Sequence, residues 1–101
     1  MPQRERVLQE TTTKLSPAEV LQSAKEFFAR QVGIYAAFPE QESKSHVSMR
    51  GQGGEEVIIA ALSQGGSTRV TGSTYLFDQQ VARFMSTLAP VPEAVTTEGG
   101  V

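Results

Sequence analysis

The chain has 101 residues, of which 39% are hydrophobic and 20% charged, and its net charge is −2. This composition is typical of one small globular domain, and the absence of any Lys/Arg run argues against nucleic acids and anionic membranes as partners. The absence of cysteine excludes disulfide scaffolds, thiolate zinc sites and cysteine nucleophiles. No apolar stretch reaches the roughly 18 residues of a membrane span, and the polar start lacks a signal-peptide core, so we expect a cytoplasmic protein.

The first two predicted elements are a strand and a helix. A strand is predicted over Arg6–Leu15, because the consecutive threonines Thr11–Thr13 favour an extended chain. A helix is predicted over Ser16–Val32. It begins with the capping box Ser16-Pro17-Ala18-Glu19 and carries apolar side chains at helical spacing. Gly33 stands where a helix commonly ends in a left-handed residue.

A meander of strands is predicted between residues 34 and 77. Its strands are expected around residues 34–38, 46–50, 57–62 and 68–77, with apolar and polar residues in alternation. Two glycine pairs, Gly53-Gly54 and Gly65-Gly66, predict the turns between them. They join strand to strand, which is typical of hairpin turns and not of phosphate-binding loops.

The strand Val57–Leu62 is unusual because both of its alternating faces are apolar. A second helix is predicted to begin with Asp78 as its cap and to end before Pro90. Only two helices are then available to cover the sheet. We therefore expect a symmetry mate, a partner or an apolar ligand to cover its second face.

The predicted fold class is α+β. The element order is β-α-β-β-β-β-α, in a two-layer sandwich with a mostly antiparallel sheet of four or five strands and both helices on one face. The single domain is expected over residues 4–89. Residues 1–3 are expected to be flexible and residues 90–101 to form a disordered tail.

Residues able to carry chemistry are few. His46 is the only histidine, and no acid or nucleophile is tied to it by spacing, so a solvated strand histidine is a better interpretation than a general base. The pairs Glu40/Glu42 and Glu55/Glu56 lack the spacing of a metal site and any fixed separation for acid–base catalysis. The sequence therefore predicts no catalytic residue, no metal site, no cofactor and no enzymatic activity.

The outer face of the sheet is the predicted binding surface. It mixes apolar, aromatic and hydrogen-bonding residues with few acids, as interfaces do, and Phe77 is assigned to it as well. We expect a two-fold homodimer or a protein partner there. The predicted interface residues are Ile58, Ala60, Leu62, Arg69, Thr71, Ser73 and Tyr75.

The alternative function is binding of a small apolar ligand between the sheet and the last helix. The large side chains that would line such a cavity are Phe27, Phe38, Met49, Val81, Phe84 and Met85.

Two stretches carry a resemblance to a known superfamily. The segment from Gly65-Gly66-Ser67-Thr68-Arg69-Val70-Thr71 to Phe77, followed by an amphipathic helix, resembles the end of START-like helix-grip proteins. Ser16-Pro17-Ala18-Glu19-Val20 is similar to the start of their first helix. The resemblance covers about a third of the chain and implies an apolar-ligand cavity, although such domains are usually longer. The element order is also similar to one half of the TATA-binding-protein fold, without that family's basic face. Similarity of fold does not by itself transfer function.

Overall fold

A computed structural model describes residues 7–88, and it confirms the predicted α+β fold and element order. The antiparallel sheet has five strands. The elements are β1 (Val7–Thr13), α1 (Pro17–Ala29), a short 3-10 helix (Gly33–Tyr35), β2 (Ala37–Glu42), β3 (His46–Gly51), β4 (Glu56–Gln64), β5 (Ser67–Tyr75) and α2 (Asp78–Thr87). The predicted flexible start at residues 1–3 and the predicted tail at residues 90–101 lie outside the described residues.

The strand order in the sheet is β1-β5-β4-β3-β2. Strands β2 to β5 form successive hairpins, and β1 joins the meander beside β5. The tightest hairpin has only Gly65 and Gly66 between the paired residues Gln64 and Ser67. Both glycines have positive φ, as a two-residue turn of this kind requires. Because the strand order is β1-β5-β4-β3-β2, the edge strands of the sheet are β1 and β2.

Both helices pack on one face of the sheet, which we call the inner face. Helix α1 lies mainly over β4 and β2, and α2 lies over β5 and β1. The central strand β4 turns Val57, Ile59 and Ala61 inward, where they are almost fully buried. On the helices, Phe28 and Phe84 are buried in the same apolar cluster. The opposite face, which we call the outer face, carries no helix among the described residues.

The capping box of α1 forms as predicted. The Ser16 hydroxyl accepts a hydrogen bond from the Glu19 backbone N–H at 3.1 Å, and the Glu19 carboxylate accepts one from the Ser16 N–H at 2.8 Å. We expect Ser16→Ala to lower the free energy of unfolding by about 1 kcal/mol, because the Glu19 N–H in the first turn loses its acceptor. Chemical denaturation measures this loss. Ser86→Ala, at another exposed helical serine, should change stability by less than about 0.5 kcal/mol.

The predicted end of α1 was wrong. The helix ends at Ala29 and not at Val32, and its cap is Arg30. Gly33 does have a positive φ, but it begins the 3-10 helix and does not cap α1. The strand predicted from residue 34 consequently starts only at Ala37. A strongly apolar run, Val32 to Phe38, had suggested continuous regular structure where the chain in fact turns.

The predicted end of β5 was also wrong. The strand stops at Tyr75, and Leu76 adopts a φ of 78°. This left-handed residue reverses the alternation, so that Leu76 is exposed and Phe77 is buried in the core. Phe77 therefore does not belong to the outer face. It also takes the cap position of α2, and Asp78 is the first residue of that helix and not its cap.

Candidate functional site

The outer face of the sheet brings together all seven residues of the predicted interface. Pairing of β4 with β5 places Ile58 opposite Ser73, and the other interface residues of these two strands follow the same alternation. Their inward neighbours Val57, Ile59 and Val70 are fully buried. Ile58 is half-buried, whereas Leu62 is exposed. The period-2 pattern thus assigned these residues to one surface.

One uncharged row crosses the middle of the outer face. The cross-strand register aligns Leu8, Ser73, Ile58, Ser48 and Gln41, one residue from each of the five strands. Small hydroxyl side chains flank Ile58 on both sides. A row of this composition is flat and has no charge to desolvate, as the centre of a protein interface requires.

Ion pairs flank this central row. Arg69 donates to Glu10 across β5 and β1 at 2.6 Å. Arg50 donates from Nε to both carboxylate oxygens of Glu40 at 3.2 and 3.1 Å, and it lies 3.8 Å from Glu56. The hydrogen bonds from Arg50 lower the pKa of the Glu40 carboxyl, and the same bonds raise the pKa of Arg50. Both arginines are therefore neutralised within the chain.

Three large apolar side chains stand on the outer face with more than half of their surface exposed. They are Leu8 at 65%, Leu62 at 57% and Phe38 at 55%. Leu62 pairs across the sheet with Arg69, and Phe38 pairs with Arg50. Leu8 and Phe38 did not belong to the predicted interface. Their placement depends on which strands form the edges of the sheet.

His46 has a partner that its sequence spacing did not reveal. Its Nδ1 lies 2.7 Å from the Ser43 hydroxyl in the turn between β2 and β3. The same oxygen accepts the backbone N–H groups of Ser45 and His46 at 3.1 and 3.2 Å. A serine beside a histidine is the beginning of a nucleophile–base pair, but no carboxylate orients this imidazole in the described residues. The hydroxyl closes the hairpin turn.

The residues of the alternative ligand cavity are divided between the two faces. Met49, Val81, Phe84 and Met85 are buried in the core, and Phe27 packs against it. Phe38 lies on the outer face and cannot line a space between the sheet and α2, so its assignment to that cavity was wrong.

Helix α2 lies in direct contact with the sheet at Gly72. A Cβ atom added to Gly72 would stand 2.8 Å from Met85 Cε, 2.8 Å from Val81 Cγ1 and 3.3 Å from Ile59 Cδ1. These separations are shorter than van der Waals contact. At this position α2 and β5 leave no room for even one methyl group.

A shallow depression of about 370 Å³ is lined by Glu10, Thr11, Thr12, Gln64 and Arg69. At the end of the sheet where β3 leads into β4, exposed apolar residues from the 3-10 helix and its start approach the junction of β5 and α2. Tyr35 contacts Phe77 there, with ring centroids 6.0 Å apart. The exposed residues of this end are Val32, Ile34, Tyr35 and Leu76.

Comparisons with protein-family models, with curated proteins and with solved structures found no match to this chain. Within residues 7–88, no group of three or more His, Asp or Glu side chains is placed to hold a metal ion. No helix in that range has the length and apolar character needed to cross a bilayer.

Proposed function

We propose that this chain is a non-enzymatic binding module that associates with a second copy of itself through the outer face of its sheet. The observation that carries the proposal is the uncharged central row on a face that no helix within residues 7–88 covers. Ile58 lies at its centre and the exposed Leu8 at its end, and the exposed Leu62 lies on the same face four residues further along β4. Apolar side chains surrounded by small hydroxyl residues and a charged rim have the composition of an interface.

The size of the face supports a weak, reversible dimer. Five strands about 4.8 Å apart and about seven residues long cover roughly 550 Å². A standard interface takes about 800 Å² from each partner. The outer face therefore lies at the low end of the size range, where association is expected at micromolar concentrations.

The charges of the face are compatible with a two-fold axis. In a two-fold dimer the same surface of both copies comes together. An unpaired charge on that surface would therefore face a charge of the same sign. Here Arg69 is paired with Glu10, and Arg50 with Glu40, before any partner arrives. The ion-paired residues of the two copies can therefore face each other without net repulsion.

Catalysis and ligand carriage are less well supported by the geometry. The Ser43–His46 pair has no orienting acid among the described residues, and its hydroxyl is engaged in the hairpin turn. Carriage of an apolar ligand, which the helix-grip resemblance implies, needs a space between α2 and the sheet. The contact of Val81 and Met85 with Gly72 favours a packed core there.

Two leucines with the same exposed fraction provide the test. Leu62, at 57%, lies on the outer face, and Leu76, also at 57%, lies away from it beyond β5. We expect Leu62→Asp to raise the dissociation constant at least about tenfold, because each copy buries a new charge in the interface. Leu76→Asp should leave it unchanged. Sedimentation equilibrium between about 1 and 200 micromolar measures both.

Two results would contradict the proposal. One is a wild-type chain that remains monomeric throughout this range, as expected if the face serves a different protein. The other is an association that Leu62→Asp and Leu76→Asp affect equally. Circular dichroism of each variant verifies that it is folded, which we expect because both leucines are more than half exposed.

A further inference from the structure

The hydrogen-bonding direction of every strand follows from two backbone hydrogen bonds. Ala61 N–H donates to the Ser45 carbonyl at 2.8 Å, and Gly51 N–H donates to the Glu55 carbonyl at 2.9 Å. Odd-numbered residues of β4 therefore bond to β3, and even-numbered residues bond to β5. The even-numbered residues of β4 lie opposite odd-numbered residues of β5, so the even-numbered residues of β5 bond to β1. These lie opposite the odd-numbered residues of β1, which therefore bond to β5.

The even-numbered residues of β1 consequently point their backbone groups out of the sheet. Leu8, Glu10 and Thr12 each present an N–H and a C=O on the open edge. No other element in residues 7–88 bonds to these groups. The edge contains no proline, bulge or lysine, which are usual devices that prevent strand addition, and its one charged residue, Glu10, is already paired with Arg69.

The opposite edge of the sheet does carry such devices. The same alternation places Pro39 of β2 on the open side, where it supplies no N–H. A register shift between Pro39 and Gln41 interrupts the strand, and acidic Glu40 and Glu42 lie on it. One edge is thus blocked and the other is open.

We propose that β1 pairs antiparallel with β1 of a second copy of this chain, about a two-fold axis at Thr11. This register places Thr11 opposite its own copy, Glu10 opposite the second copy's Thr12, and Gln9 opposite its Thr13. No charge meets a like charge, and threonine pairs are favourable across antiparallel strands. Centring the axis on Glu10 would instead oppose two carboxylates.

This pairing joins two sheets into one sheet of twice the width. The axis of an antiparallel strand pair is perpendicular to the sheet, so both outer faces remain on the same side. The axis of the proposed face dimer lies parallel to the sheet. Where two perpendicular two-fold axes intersect they generate a D2 tetramer, which is the arrangement that closes. The tetramer depends on the proposed function, but the edge pairing does not.

Amide hydrogen exchange of the full chain tests the edge directly. The amides of Leu8, Glu10 and Thr12 should gain protection as the protein concentration rises, whereas Gln9, Thr11 and Thr13 stay protected throughout because they bond to β5. Association through the outer face alone would leave the three even-numbered amides unprotected. Concentration-independent exchange of these three amides would overturn the proposal.

Substitutions at exposed Thr12 test the register. Thr12→Pro removes an outward N–H without touching the β5 ladder, and we expect it to weaken edge association about tenfold. Thr12→Glu places a second carboxylate opposite Glu10 of the other copy and should weaken it about two- to thirtyfold. Thr12→Lys should not weaken it. Within one chain Thr12 pairs with Arg69, so the Glu variant should fold at least as stably as the Lys variant. Relative to Thr12→Lys, Thr12→Glu is therefore expected to weaken association without weakening folding.

Molecular masses separate the two association surfaces. Sedimentation should give a tetramer for the wild type, a dimer for Leu62→Asp, a dimer for Thr12→Pro and a monomer for the double variant. If Thr12→Pro and Thr12→Glu associate as the wild type does, the edge proposal fails. If only Leu62→Asp has no effect, the face proposal fails and the edge proposal stands.

Discussion

Replacing Phe84 by alanine should lower the free energy of unfolding by about 3–5 kcal/mol. Phe84 is fully buried, and its ring lies 5.5 Å from that of Phe27 and 5.9 Å from that of Phe28, measured between centroids. Through these two rings it joins α2 to α1. Domains of this size are commonly stable by about 5–15 kcal/mol, so the substitution removes a large share of the total.

Phe38→Ala is the matched control for this substitution. Phe38 is more than half exposed on the edge strand β2, and its loss should cost less than about 1 kcal/mol. Both variants are compared by urea denaturation in the Leu62→Asp/Thr12→Pro background, which is expected to be monomeric, since self-association would otherwise make stability depend on concentration. A shift of the midpoint at constant slope reports a change in stability. If the two variants unfold within about 1 kcal/mol of each other, Phe84 does not join the helices.

Most of the fold was predictable because its signals are local. The capping box at Ser16 and the apolar stripe behind it predicted α1, and the alternation along β4 and β5 predicted which residues face the helices. The errors fall at element ends. Leu76 takes a left-handed φ that carries no sequence signature for leucine, and this single residue exchanges the environments of Leu76 and Phe77.

The candidate site was predictable only in part. Alternation placed the seven interface residues on one surface. It did not reveal the neighbours that come from distant strands, because Leu8 reaches Ser73 only once β1 joins the far side of the meander. The ion pair of Arg69 with Glu10 has the same origin, since the two residues are 59 positions apart in the sequence. The open edge of β1 likewise requires the strand order and the direction of its hydrogen bonds.

The effect of Gly72→Ala is expected to be destabilising, by about 1–3 kcal/mol. Gly72 lies in the extended strand β5, where alanine is normally favoured over glycine by about 0.5–1 kcal/mol. The new Cβ would, however, meet Val81 Cγ1 and Met85 Cε at 2.8 Å. The methionine end can move, but the valine is stiff and held on α2, so the helix itself must shift. The sign of the change therefore reports whether α2 rests on the sheet or leaves a cavity.

A double-mutant cycle with Val81→Ala assigns this cost to the contact. Val81→Ala removes Cγ1 and leaves a small void beside Gly72, into which the new methyl group fits. Gly72→Ala should then cost at least about 1 kcal/mol less than it does in the wild-type chain. Stabilisation by Gly72→Ala alone, or the same cost in both backgrounds, would contradict direct packing of α2 on β5. Such a result would favour a space between them and restore apolar-ligand carriage over a packed binding module.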